Sequence, residues 1–98
     1  MNSSIAIQIL PGVADTSEVV RIVDAVIDYI RQTGLSYYVA PFETTVEGDF
    51  DQLMAIAKEA QLIAIREGAP SVSMYLKAVY RPEGEILTID EKVSKHHR

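Results

Sequence analysis

Residues able to recognise a ligand recur in this chain at alternate positions of apolar runs. Ile5, Ile7 and Ile9 alternate with Ala6, Gln8 and Leu10; Val72, Met74, Leu76 and Ala78 alternate with Ser71, Ser73, Tyr75, Lys77 and Val79. A period of two is that of a strand, which buries one set and turns the other outward. Carried through residues 36–41 and 43–47, the alternation gathers Gln8, Tyr38, Thr45, Glu47, Ser73, Tyr75 and Lys77 on one face. Three readings are open for such a face. Polar residues turned to water need no function. Two tyrosines among donors and a carboxylate can receive a flat heteroaromatic, whose rings stack while Glu47 or Gln8 satisfies its edge. Two such faces can also pack together between subunits.

Other constellations are weaker. Asp24 and Asp28 lie one helical turn apart but opposite an apolar stripe, the position of a solvated face. Glu43 and Glu47 share a strand face with no third ligand to suggest a metal, and His96 and His97 sit near the C-terminus, where cations suit a helix end. With no cysteine there is no thiolate metal site, disulfide or cysteine nucleophile. Both histidines lie in the tail, so no serine, histidine and acid triad can be assembled. The expectation is a protein that is not an enzyme.

Fourteen acidic against nine basic residues give a formal net charge of −5, a field that repels a phosphate-rich partner and argues against nucleic acid. There is no apolar run of transmembrane length, and Met-Asn-Ser-Ser lacks the basic and apolar regions of a signal peptide, so no membrane role and a cytoplasmic location are expected.

The elements that must position these residues follow from the same patterning. Residues 4–10 form a strand stopped by Pro11-Gly12. Asp15 and Glu18 have the spacing of a capping box, and Val19, Ile22, Val23, Val26, Ile27 and Ile30 continue as a helical stripe closed by Gly34. Residues 36–41 and 43–47 read as a tight hairpin around Pro41-Phe42. Asp49 and Gln52 repeat the capping spacing before a helix bearing Leu53, Ile56, Ala57, Ala60, Ile63 and Ala64, which Gly68 and Pro70 end. Residues 71–80 are the last strand. Arg81-Pro82-Glu83-Gly84 turns into a tail, where Thr88 and Glu91 give a third capping pair for a short helix.

Strand, helix, strand, strand, helix, strand predicts one α+β domain over residues 1–98. It is a ferredoxin-like βαββαβ sandwich: a four-stranded antiparallel sheet, two helices on one face, and a short C-terminal tail helix. Ile86, Leu87, Ile89 and Val93 of the tail (81–98), with Leu62 and Ile65, exceed what a two-layer core needs, which points to a contact with another subunit. Functions known on this topology thin out quickly. The loop at residues 11–17 has no arginine and Asn2 is the only asparagine, which excludes an acylphosphatase. Ala6, Gln8, Thr45 and Glu47 stand where an RNA-recognition sheet needs stacking aromatics.

Residues 37–54 (YYVAPFETTVEGDFDQLM) and 88–95 (TIDEKVSK) are more specific. Through Tyr37, Val39, Pro41, Thr44, Thr45, Glu47, Gly48, Thr88, Ile89, Lys92 and Val93 the chain resembles the thiamine-binding, YkoF-like family of small ferredoxin-like proteins. The resemblance implies a non-enzymatic protein that needs no cofactor, binds thiamine or its hydroxymethylpyrimidine part, and assembles as a homotetramer. Thr44, within that motif, joins Gln8, Tyr38, Thr45, Glu47, Ser73 and Tyr75 as a candidate ligand contact, with Glu47 the expected acceptor for an aminopyrimidine. Tyr38 stands where the family shows glutamate, and Ala40 where it shows glycine. The competing expectations are an oligomeric interaction or regulatory module without a small ligand and, more distantly, a cofactorless oxygenase on a dimeric α+β barrel.

Overall fold

A nine-residue strand rich in isoleucine can bury one face only if a sheet grows on both its edges. In the computed structural model, which describes residues 1–97, β1 (Ser3–Pro11) does so. It lies between β3 (Thr44–Gly48) and β4 (Val72–Tyr80), with β2 (Tyr37–Val39) outside β3, and all neighbours are antiparallel. Helices α1 (Thr16–Gln32) and α2 (Phe50–Arg66) join β1 to β2 and β3 to β4. This is the ferredoxin-like sandwich.

The core lies between helices and sheet. Ile5, Ile7 and Ile9 meet Ile22, Val26 and Ile30, spaced four apart on α1, and Leu53, Ile56, Ala60 and Ile63 of α2; Val46 of β3 closes it. Each isoleucine so enclosed contributes about 1.5–3 kcal/mol from burial.

Helix ends follow their sequence signals unevenly. Asp15 accepts the Ser17 amide at 2.8 Å, but Glu18 pairs with Arg21 and does not reach back, so the expected box is a single cap. Asp49 stands at the start of α2 without a side-chain capping bond, so the second box does not form. The third is complete: Thr88 accepts the Glu91 amide at 3.0 Å, and the Glu91 carboxylate accepts the Thr88 amide at 2.9 Å. At the end of α1, Gly34 takes φ 76°, the left-handed geometry that suits glycine.

The hairpin strands are shorter than the sequence expectation, because β2 covers only residues 37–39 of the 36–41 run. The chain turns at residues 40–43, where the Ala40 amide donates to the Glu43 carbonyl at 3.0 Å.

The tail folds back on its own sheet. Helix α3 (Ile89–Val93), followed by a short 3₁₀ turn at Ser94–His96, lies against the open sheet face and buries Ile89. Glu47, itself only 8% exposed, accepts the Ile89 amide at 2.7 Å. The Tyr38 hydroxyl lies 3.0 Å from His97 Nε2. Leu87 remains exposed. Among the described residues, no helix is long and apolar enough to cross a membrane.

Two predictions follow from these contacts. Replacing Glu47 with Ala leaves the first amide of α3 without its charged acceptor, an interaction worth about 1.5–3 kcal/mol. Hydrogen exchange over residues 89–97 should accelerate while the β1 amides stay protected; unchanged tail protection would dismiss this anchor. The second concerns acid. The Ser17 hydroxyl and amide hold the Asp15 carboxyl below its ordinary value of 3.8, and hydrogen bonding with Thr88 holds Glu91 below 4.5. A depressed carboxylate stabilises the fold above its unfolded value and loses that contribution as pH falls through the folded one. Asp15→Asn should therefore flatten the acid limb of a thermal-unfolding pH series, leaving the neutral region little altered. An identical acid limb would show that the cap carries no linked proton.

Candidate functional site

Unequal strand lengths create a concavity between α1 and the hairpin. β1 pairs with β4 along all nine residues, from Ser3↔Tyr80 to Pro11↔Val72, but with β3 only from Ser3↔Gly48 to Ile7↔Thr44. Beyond Ile7, the edge of β1 facing the hairpin has no strand beside it. The 40–43 turn curls away there, and Pro41 brings no amide to fill the gap.

The resulting cleft has a volume of about 200 Å³. Its inner walls are Ile7 and Ile9 of β1 and Val23, Val26, Ile27 and Ile30 of α1; its outer wall is the hairpin from Val39 to Thr44. Phe42 stands at the turn, 79% exposed. Glu43 borders the cleft, and its carboxylate meets Lys77 at 3.2 Å on the open face. The space is smaller than the roughly 300–1,000 Å³ of drug-sized pockets and matches a single ring. Its chemistry is apolar walls and unpaired strand main chain. A broader hollow of about 830 Å³ between tail and β4, near Tyr80, Arg81, Leu87 and Lys92, is more open to solvent.

The sequence candidates divide among several places. Thr44 pairs with Ile7 and so shares the helix-side face; it borders the cleft. Gln8 borders it too, through main chain, since its side chain alternates with Ile7 and Ile9 and belongs to the open face. Glu47 and Tyr38 hold the tail. Thr45 lies beside Ala6 under the tail. Ser73 and Tyr75 stand exposed on β4, opposite Leu10 and Gln8. The register thus places Gln8, Tyr38, Thr45, Glu47, Ser73 and Tyr75 on one face, Thr44 on the other, and does not bring the seven into one pocket. Glu47 does not pair with Lys77, which takes Glu43 instead.

Sequence reasoning missed Val23, Ile27 and the turn residues 40–43 as cleft walls. Their signal was an apolar stripe on α1 wider than one strand can cover. Among the described residues, no cluster of three His, Cys, Asp or Glu side chains could hold a metal ion.

Comparison with known proteins bears on this geometry. The family model described as thiamine-binding protein matches residues 5–97. A UPF0045 protein of Clostridium perfringens is 45% identical over 93 residues, 95% of each chain. Among solved structures, a domain of unknown function (DUF77) from Bacillus cereus superposes with a TM-score of 0.85 at 36% identity, covering 98% of this chain and 90% of that one. A candidate thiamine biosynthesis/salvage protein of Thermotoga maritima gives 0.83 at 31% identity, covering 98% and 99%. With nearly its whole length matched in sequence and fold, this chain belongs to the thiamine-binding protein family.

Proposed function

We propose that the chain binds thiamine or its hydroxymethylpyrimidine part without catalysing a reaction, and that the pyrimidine ring enters the cleft between α1 and the hairpin. The observation that carries this reading is the bare edge of β1 inside apolar walls. An aminopyrimidine alternates donors and acceptors around its rim, and an unpaired strand edge offers both from main chain. Ile7, Ile9, Val23 and Ile27 supply faces for the ring. Family membership and the Thermotoga neighbour support the same ligand class. In this reading, Gln8 and Thr44 are ligand contacts. Tyr38 and Glu47 act by holding the tail, and Thr45, Ser73 and Tyr75 lie outside the site.

Isothermal titration with thiamine, its phosphates and hydroxymethylpyrimidine tests the function. Binding of at least one is expected. Ile27→Phe, which fills the cleft at a half-buried position, should weaken it about tenfold or more, corresponding to roughly 1.4 kcal/mol. Heat with none of the ligands would remove the function in favour of an interaction module; full affinity in Ile27→Phe would remove the cleft.

We also infer a homo-oligomer, a tetramer as the family resemblance implies. β4 is an edge strand whose Leu76, Val79 and Tyr80 stay more than 40% exposed, and Leu62 and Ile65 of α2 do likewise. Light scattering should give a multiple of the 10.9 kDa chain mass, and Leu76→Lys should lower it. A monomeric mass for the unaltered protein would overturn the assembly.

A further inference from the structure

The cleft has room for one ring, but thiamine has two. With about 200 Å³ of space, the walls of α1 and β1 can enclose the pyrimidine alone. A single methylene joins pyrimidine to thiazolium, so the second ring comes to rest at the mouth, close to the first. What stands at the mouth decides whether the cationic half of the ligand is recognised or left in water.

Phe42 stands there. It borders the cleft at the tip of the hairpin and is the most exposed of the large hydrophobic side chains, with 79% of its surface accessible. Among the described residues, the aromatic pairs are Tyr38 with His97 and Phe50 with Tyr80; Phe42 belongs to neither, and its ring faces are left to water. The turn fixes where it stands. Pro41 sets its own φ and restricts Ala40, and the Ala40 amide donates to the Glu43 carbonyl at 3.0 Å. The Glu43 carboxylate turns instead to Lys77 on the open face. Among the described residues, no lysine or arginine borders the cleft, and the net charge of −5 favours a cationic ligand.

We propose that Phe42 receives the thiazolium ring, aromatic face against cation, so that the site prefers intact thiamine to its hydroxymethylpyrimidine part. This contact rests on the pyrimidine lying in the cleft, as proposed above. An aromatic face attracts a cation through its quadrupole, and a flat cation also gains contact area. Leucine would offer apolar area without the quadrupole.

Isothermal titration of Phe42→Ala and Phe42→Leu with thiamine and with hydroxymethylpyrimidine separates the two rings. At this exposed position neither variant disturbs the core. An exposed cation–π contact is worth about two- to fivefold in affinity, so both variants should weaken thiamine by at least that factor and hydroxymethylpyrimidine less. Phe42→Trp should retain thiamine. The chain has no tryptophan of its own, so thiamine should quench the new emission, while hydroxymethylpyrimidine leaves it nearly unchanged. Full thiamine affinity in Phe42→Ala would overturn the contact. So would equal losses for both ligands, which place Phe42 on the pyrimidine, or a lower light-scattering mass, which gives the ring to a subunit contact. Failure of the unaltered protein to bind either ligand is a separate result: it removes the function proposed for the cleft, and this contact with it.

Discussion

Pairing of β1 with two neighbours of unequal length is the constraint on which this structure rests. Nine residues on one side and five on the other cannot both be covered, so one end of the central strand has a strand on β4's side alone. An unpaired main-chain edge is costly in a dry place. Here it opens into a cleft that a ligand or water can enter, and α1 supplies its apolar back wall. The length mismatch, more than any single side chain, sets where a planar ring fits.

The same strand divides the chemistry between its faces. Odd-numbered residues of β1 meet the helices, so the cleft on that side is apolar apart from main chain and Thr44. Even-numbered residues turn to the open face, where Ser4 and Ala6 lie near the tail, whose first amide is held by a carboxylate that the sheet nearly buries. Such a carboxylate needs hydrogen bonds to remain tolerable, and a helix N-terminus provides them.

Local order was legible in the sequence because alternation and helical spacing are local signals. Ile5, Ile7 and Ile9 announced β1; Ile22, Val26 and Ile30 announced α1; Gly34 announced its end. The face assignment of Gln8, Thr45 and Tyr75 was legible for the same reason. What spacing cannot show is whether two strands are equally long in register, and the cleft follows from that comparison. Nor can it show where a tail folds back: Glu47 reads as a free acceptor until Ile89, 42 residues later, takes it. Capping residues behaved likewise. Asp15, Asp49 and Thr88 carry the same signal, but only Thr88 closes a full box; Glu18 pairs with Arg21 instead, and Asp49 makes no side-chain capping bond.

The pairing of Ser3 with Tyr80 also governs the order in which the molecule can be assembled. β1 is made early, but its longer partner is the last strand of the sheet, so their contact spans almost the entire domain. Contacts of such sequence separation form late and slowly, because loop closure must precede them. During synthesis the isoleucine strand can meet α1 and then the hairpin, yet its second edge stays open until residue 80 has emerged. The interval is one in which an unpaired apolar strand must avoid other chains, and it lengthens or shortens with the speed at which residues 49–80 are delivered.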